Sequence, residues 1–281
     1  MDTQINLLKQ SNPTKLILFD FNHQLCYNIN QELKRMNNII WKNFRRAVRD
    51  YRLVNSGDRI GVCISGGKDS MIMAVCMKLL QREIDFHAEF IVMNPGYSQN
   101  NLDIIRHNLE KFDITAEISN TNVFESIRKE KNPCFLCSRL RRGWLYRNAQ
   151  EKELNKIALG HHFDDAVETI LMGMLYGSQM QAMLPKLKAE NYPVEVIRPL
   201  YRVRESSIKE WADENNLSFI SCECGLENKS SKREEIKEIL CLLREKNPYV
   251  DMNIFRSAEN VNLKRLISYH DGDKYHSFLD D

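Results

Sequence analysis

The stretch that most constrains the fold is Ile60 to Ser70, IGVCISGGKDS, where a short apolar run ends abruptly at Ser65-Gly66-Gly67-Lys68-Asp69-Ser70 and a helical pattern follows. Ile60, Val62 and Ile64 are β-branched and suit a buried strand, while Gly66 and Gly67 permit positive φ and close approach of backbone N–H groups to an anion. A helix predicted from about Asp69 to Gln81 would aim the positive end of its dipole at that anion. This is a strand, a phosphate loop and a helix. A Walker loop is excluded, because G-x-x-x-x-G-K-[ST] is not met: Val62 stands five before Gly67, and Asp69 follows Lys68. A chance glycine turn is the alternative for these six residues alone.

The chain then alternates strands and helices. Strands are predicted at His87 to Met93, Ala116 to Ser119, Lys156 to Leu159 and Val194 to Ile197, and helices at Asn101 to Phe112, from near Asp164, and from about Glu205 to Asn215. Between residues 122 and 153 the pattern is helical on either side of a break at Asn132-Pro133. The expected fold class is α/β, an open parallel sheet with helices on both faces. Ligands of such sheets sit beyond the carboxyl ends of the strands, so residues 65–70 and 160–165 are expected around one pocket.

With 281 residues, one such domain with additions at both ends is expected: an N-terminal extension and basic helix over 1–54, the α/β domain over 55–225, and a helical region over 226–281. From about Gln31 to Leu53, Leu33, Met36, Ile40, Phe44, Ala47 and Tyr51 mark one apolar helix face. The other faces carry Lys34, Arg35, Lys42, Arg45, Arg46, Arg49 and Arg52 against only Glu32 and Asp50, which reads either as a solvated face or as a contact with RNA phosphates. The apolar patch Leu16 to Phe21 carries no functional reading, a charged helix is expected from Arg233 to Lys246, and the tail 271–281 is expected to fray.

A hydrophobic fraction of 43% with 28% charged residues fits a globular domain, and no apolar run approaches the roughly 20 residues that span a bilayer. With no secretory signal in MDTQINLLKQSNP, a cytoplasmic location and no membrane partner are expected. A net charge of +2 does not by itself announce nucleic acid. Of eight cysteines, Cys26, Cys63, Cys76 and Cys241 stand singly and are expected to be small buried hydrophobes. Cys134, Cys137, Cys222 and Cys224 are grouped.

Two further stretches carry chemistry. Gly160-His161-His162-Phe163-Asp164-Asp165 ends an apolar strand: the glycine lets the backbone pass close to a nucleotide, and paired carboxylates at a helix start hold magnesium, manage a proton or simply cap the helix. In Cys134-Phe-Leu-Cys137-Ser-Arg-Leu-Arg-Arg-Gly143, two cysteines three apart can face one metal, and a third from Cys222-Glu-Cys224 closes the site. Four thiolates would suit a structural zinc and three a catalytic cluster; a redox-active Cys-x-x-Cys disulfide is the remaining alternative.

Together these three stretches resemble the tRNA 2-thiocytidine biosynthesis family, PP-loop tRNA-cytidine sulfurtransferases of the TtcA type, from about Glu32 to Leu266; Ile197-Arg-Pro-Leu200 adds support. The resemblance implies a PP-loop ATPase fold of the adenine nucleotide α-hydrolase kind. It implies ATP held by Ser65, Gly66, Gly67, Lys68, Asp69 and Ser70 with Gly160, His161 and Asp164, and Mg2+ near Asp69 or Asp165. It further implies a [4Fe-4S] cluster on Cys134, Cys137 and Cys222, with Cys224 as the alternative third ligand because the second pair is C-x-C and not C-x-x-C. Asp69, Asp165 and the three cysteines are the implied catalytic groups.

The implied reaction adenylates the C2 oxygen of a tRNA pyrimidine, cytidine in the anticodon loop, and replaces it with sulfur from a cysteine desulfurase or sulfide; a homodimer is implied as well. Lys68, Arg139, Arg141 and Arg142 either steady phosphates and RNA or form a solvated face. The rival reading is a PP-loop ligase or thiolase with structural zinc, acting on another nucleoside or a small molecule. A zinc-bound RNA-binding module with a vestigial nucleotide site is more distant, since Ser65, both glycines, Asp69 and Ser70 are all retained.

Overall fold

The structure is a computed structural model that describes residues 38–128, 130, 133–220 and 232–279. The expectations for residues 1–37, and those for Cys222 and Cys224, fall outside the described residues.

β1 (Arg59–Ile64) is the centre of a six-stranded sheet with β2 (His87–Asn94), β3 (Ala116–Asn120), β4 (Lys156–Ala158), β5 (Lys186–Lys188) and β6 (Glu195–Ile197), in the order β3-β2-β1-β4-β6-β5. All pairings are parallel except that of β5 with β6. The chain leaves β1 toward β2 on one side and returns as β4 on the other, so strand order reverses between β1 and β4. That reversal opens a crevice at the carboxyl ends of these two strands.

Alternation along β1 decides what covers each face. Ile60, Val62 and Ile64 point into the main core, built with α1 (Asn38–Asp50), α2 (Lys68–Leu80), α3 (Gln99–Lys111), α6 (Phe163–Tyr176) and α7 (Glu205–Glu214). Gly61 and Cys63 take the opposite face, where Leu154, Ile157 and Ala149 pack beneath α5 (Pro133–Glu151), which follows the short α4 (Val123–Ile127). Helices thus cover both faces, as the alternation predicts. The predicted apolar face of α1 is seen in the fully buried Ile40, Phe44 and Ala47. Pro133 opens α5 at the first helical position, where its missing N–H is harmless.

Three expectations need correction. β5 is an antiparallel edge strand of three residues, two of them lysines that suit an edge and hide it from an apolar pattern. After α8 (Lys232–Lys246) and α9 (Val250–Ser257), the C-terminal region is not helical to its end. Ser268–Asp271 (β7) and Lys274–Ser277 (β8) form a hairpin through Gly272, at φ +60°, with Tyr269 stacked on His276 at 4.7 Å, so the tail through 277 is ordered by pairing. Cys63 and Cys76 are buried as expected, but Cys241 is exposed on α8. Among the described residues, no helix is long and apolar enough to cross a membrane.

Candidate active site

The turn after β1 is held mainly by backbone and hydroxyls. Gly66 adopts φ +85°, and a Cβ there would sit 2.5 Å from Ile220 Cδ1, so the position requires glycine. Gly67 caps α2 in extended geometry with no side-chain cap, leaving the first N–H groups of that helix for a ligand. Ser70 Oγ closes the turn, accepting from the Ser65 N–H at 3.0 Å and donating to the Gly67 carbonyl at 2.9 Å. The Tyr97 hydroxyl donates to the Ser65 carbonyl at 3.1 Å, a support that no local pattern announced.

Lys68 turns toward α7, 2.9 Å from Glu205 and 3.2 Å from Asp69 Oδ1. Burial would raise the Glu205 carboxyl, but the Lys68 hydrogen bond and the charges of Lys68, Lys209 and Lys237 reverse this and bring it to about 2. Burial likewise opposes the charge on Lys68, and its two carboxylates outweigh that, raising its pKa. Asp69 Oδ1 is buried and, beyond its ion pair with Lys68, accepts no hydrogen bond among the described residues.

The turn after β4 meets the first turn backbone to backbone: a Cβ on Gly160 would lie 2.9 Å from the Ser70 nitrogen. The close approach that glycine permits here is to the phosphate loop itself. His162 and Asp165 form a capping box on α6, with the His162 N–H donating to Asp165 Oδ2 at 3.0 Å and the Asp165 N–H donating to His162 Nδ1 at 3.4 Å. The cap and a ligand-facing role therefore coexist, because Asp165 also lines the cavity below.

Asp164 points elsewhere. It accepts from the Glu205 N–H at 2.8 Å, which caps α7, and it pairs with Arg244 at 3.3 Å and Arg204 at 3.6 Å. His161 is mostly enclosed: burial first, then the charge of Arg198, depress its pKa to about 4, so it is neutral at pH 7. Glu168, one turn beyond Asp165, is buried with its carboxyl pushed up by burial, against Arg233 of α8 at 3.3 Å. Its role, like that of Arg198 and Arg233, was not legible in the sequence, since each acts across elements.

One cavity of about 500 Å³ joins these parts. Its wall includes Ser65, Asp69 and Ser70 from the first turn, and Gly160, His161 and Asp165 from the second. Cys134, Cys137, Ser138, Arg141 and Arg142 of α5 complete it. Gly66, Gly67, Lys68, Asp164 and Arg139 are not on that wall. Cys134 is exposed and Cys137 half-buried, one turn apart in the first two turns of α5. Among the described residues no three His, Cys, Asp or Glu side chains are grouped closely enough to hold a metal, so a metal on these two thiols needs a donor from outside them. Cys63 also reaches the cavity, with its thiol pushed up to about 12 by burial.

Residues 36–242 match the PP-loop domain family. The chain is 36% identical over 243 residues to a tRNA-cytidine(32) 2-sulfurtransferase of Coxiella burnetii, covering 84% of this chain and 94% of that one. The chain belongs to the PP-loop family of tRNA-cytidine sulfurtransferases. A relative of the same description from Geobacter metallireducens is 35% identical over 229 residues, covering 79% of this chain and 89% of its own. Among solved structures, the U34-tRNA thiolase NcsA from Methanococcus maripaludis with its [4Fe-4S] cluster superposes with a TM-score of 0.63, covering 78% of this chain and 77% of that one. At 23% identity that likeness shows the fold, and the sheet order and the paired turns are PP-loop architecture. Within this PP-loop enzyme, the CFLC helix and the phosphate loop share one wall.

Proposed function

We propose that this cavity adenylates the C2 oxygen of a tRNA cytidine and replaces it with sulfur. The observation that carries the reading is the shared wall: the two thiols of α5 face the same space as Ser65, Asp69, Ser70 and Asp165. A structural zinc site is closed by four ligands, so thiols opening on this cavity fit a reacting group better than a staple.

ATP would lay its phosphates against the backbone N–H groups at the start of α2, with Ser65 and Ser70 shaping the loop. The C2 oxygen attacks the α-phosphorus, the bond to pyrophosphate breaks, and pyrophosphate leaves. Sulfide then attacks C2, the C2–O bond breaks, and AMP departs with the oxygen, so no oxidant or reductant is required. Asp69, whose buried Oδ1 has Lys68 at 3.2 Å and accepts no hydrogen bond among the described residues, and Asp165 are the cavity carboxylates that would hold magnesium, whose charge would offset that of the phosphates. His161, neutral at pH 7, can serve as a hydrogen-bond partner and not as a second positive charge.

Cys134 and Cys137 would supply two ligands of a [4Fe-4S] cluster, with Cys222 the third and Cys224 its alternative. When bound, such a cluster supplies an open iron for the incoming sulfur. The described chain supports this: Ile220, two residues before Cys222, donates its N–H to the Gly66 carbonyl at 3.4 Å and so lies against the phosphate loop. On this reading a cysteine desulfurase or sulfide provides the sulfur, and the enzyme acts in the cytoplasm as a homodimer.

The test is anaerobic purification with iron, sulfide and zinc analysis, followed by assay of tRNA-dependent AMP formation and thiolated nucleoside. About four irons and four sulfides per chain with thiocytidine formed are expected. Zinc without iron, and no thiolated nucleoside, would return the zinc-bearing ligase to first place.

A further inference from the structure

α5 carries a second surface, which meets the cavity wall at Arg142. Phe135 stands between the two cysteines and is 70% exposed, although a helix that buries Leu140 and Trp144 in part against α4 has apolar space nearby. Arg139 and Arg142 follow at i+4 and i+7, so the three side chains share one stripe about 10 Å long. Both arginines are exposed.

Their surroundings distinguish them from the other basic helix. On α1, Arg45 pairs with Glu83 at 3.0 Å, and Arg46 and Arg49 pair with Asp50 at 3.3 and 2.8 Å. On α5, Arg139, Arg141, Arg142 and Arg147 have no ion pair among the described residues, and the only carboxylate in the helix is Glu151 at its far end. An aromatic face followed by unneutralised guanidiniums matches single-stranded RNA, which offers stacking bases along a chain of phosphates. Chemistry on a base also takes that base out of its stack, which leaves a neighbour without a partner at the cavity mouth.

We propose that Phe135 is the stacking platform for an unpaired RNA base next to the one entering the cavity, and that Arg139 and Arg142 hold the phosphates beyond it. The proposal rests on the reading of the chain as a tRNA sulfurtransferase. It assigns Phe135 to substrate positioning, separate from the thiols on either side.

The experiment uses anaerobically purified full-length protein, matched for iron content, and an unmodified anticodon stem-loop RNA. The base beside the target cytidine is replaced by 2-aminopurine, whose fluorescence falls on stacking. Phe135→Ala and Phe135→Leu are expected to weaken binding about 5- to 100-fold and abolish the quenching, whereas Phe135→Trp retains both. Arg139→Ala and Arg142→Ala should each lower the slope of log K against log salt by about 0.7, and Arg49→Ala should not.

Wild-type protein that binds no RNA would overturn both this proposal and the functional reading. Wild-type binding that persists within twofold in Phe135→Ala, with quenching intact, would overturn the stacking role alone. Phe135→Leu binding like wild type would overturn that role too, since apolar bulk and not a π-face would then suffice. A change in oligomeric mass of Phe135→Ala with RNA affinity untouched would assign the residue to a protein contact and also overturn it.

Discussion

The turns after β1 and β4 lie side by side on neighbouring parallel strands, yet they meet their backbone requirements in opposite ways. After β1, Gly66 takes a positive φ and the start of α2 has no side-chain cap, so its N–H groups stay open to an anion. After β4, the start of α6 is closed by the His162–Asp165 box, and Asp164 is committed to α7 and to two arginines. Adjacent carboxylates in sequence thus have different partners, and acidity alone does not tell them apart. They differ in how many fixed partners each oxygen already has.

The largest effect is expected from exchanging that contrast. Asp69→Ala should lower tRNA-dependent AMP formation by roughly 100- to 1000-fold, since on the proposed reading it removes a carboxylate that would hold the magnesium offsetting the phosphate charge, with a melting temperature close to wild type. Asp164→Ala should do the reverse. Losing the α7 cap and a partner of Arg204 and Arg244 is expected to lower stability by about 3 kcal/mol in urea unfolding, with kcat at 25 °C within about threefold. A catalytically dead but fully stable Asp164→Ala would show that the two turns share their chemistry.

Acid separates the turns next. His161 titrates near pH 6.5 when unfolded and at about 4 when folded, so below 6.5 the unfolded chain binds the extra proton. Its contribution is fully present above 6.5 and is lost as pH falls toward 4, about 2 kcal/mol once partial solvent contact is allowed for. The Lys68–Glu205 pair behaves differently: Glu205 is lowered from 4.5 to about 2, so its contribution holds above 4.5 and is lost only as pH falls toward 2. His161→Gln should therefore flatten the stability profile between pH 6.5 and 4.5, while Glu205→Gln should leave that window unchanged. Equal slopes for wild type and His161→Gln would mean the imidazole is not held neutral.

These contrasts explain what the sequence could and could not disclose. The phosphate loop was legible because its chemistry is local: β-branched residues, glycines and a helix start follow one another within eleven residues. The importance of Gly160 was legible too, but its partner was not, because the backbone of Asp69 and Ser70 arrives from about 90 residues earlier through the β1–β4 pairing. The contacts that Asp164 makes with α7 and α8 were not legible, because no spacing rule connects those helices to it. β5 is too short and too basic to show a period, and the final hairpin, whose loop is Gly272-Asp273, falls in the terminal stretch expected to fray.

The smallest effect on folding is expected at Gly67, set against Gly160, and it tests whether the first turn holds an anion. Gly160→Ala must push a methyl against the Ser70 nitrogen at 2.9 Å, and backbone cannot yield as a side chain does, so a loss of about 2 kcal/mol is expected. Gly67→Ala meets nothing closer than the Ser65 hydroxyl at 3.8 Å and sits at φ −89°, which any residue adopts. Folding should therefore change by only about 0.5 kcal/mol. If phosphates pack against this backbone, the added methyl should still raise the KM for ATP about tenfold, because it occupies ligand space and not protein space. A Gly67→Ala enzyme with both stability and KM unchanged would place the phosphates elsewhere, since nothing in the fold itself requires that second glycine.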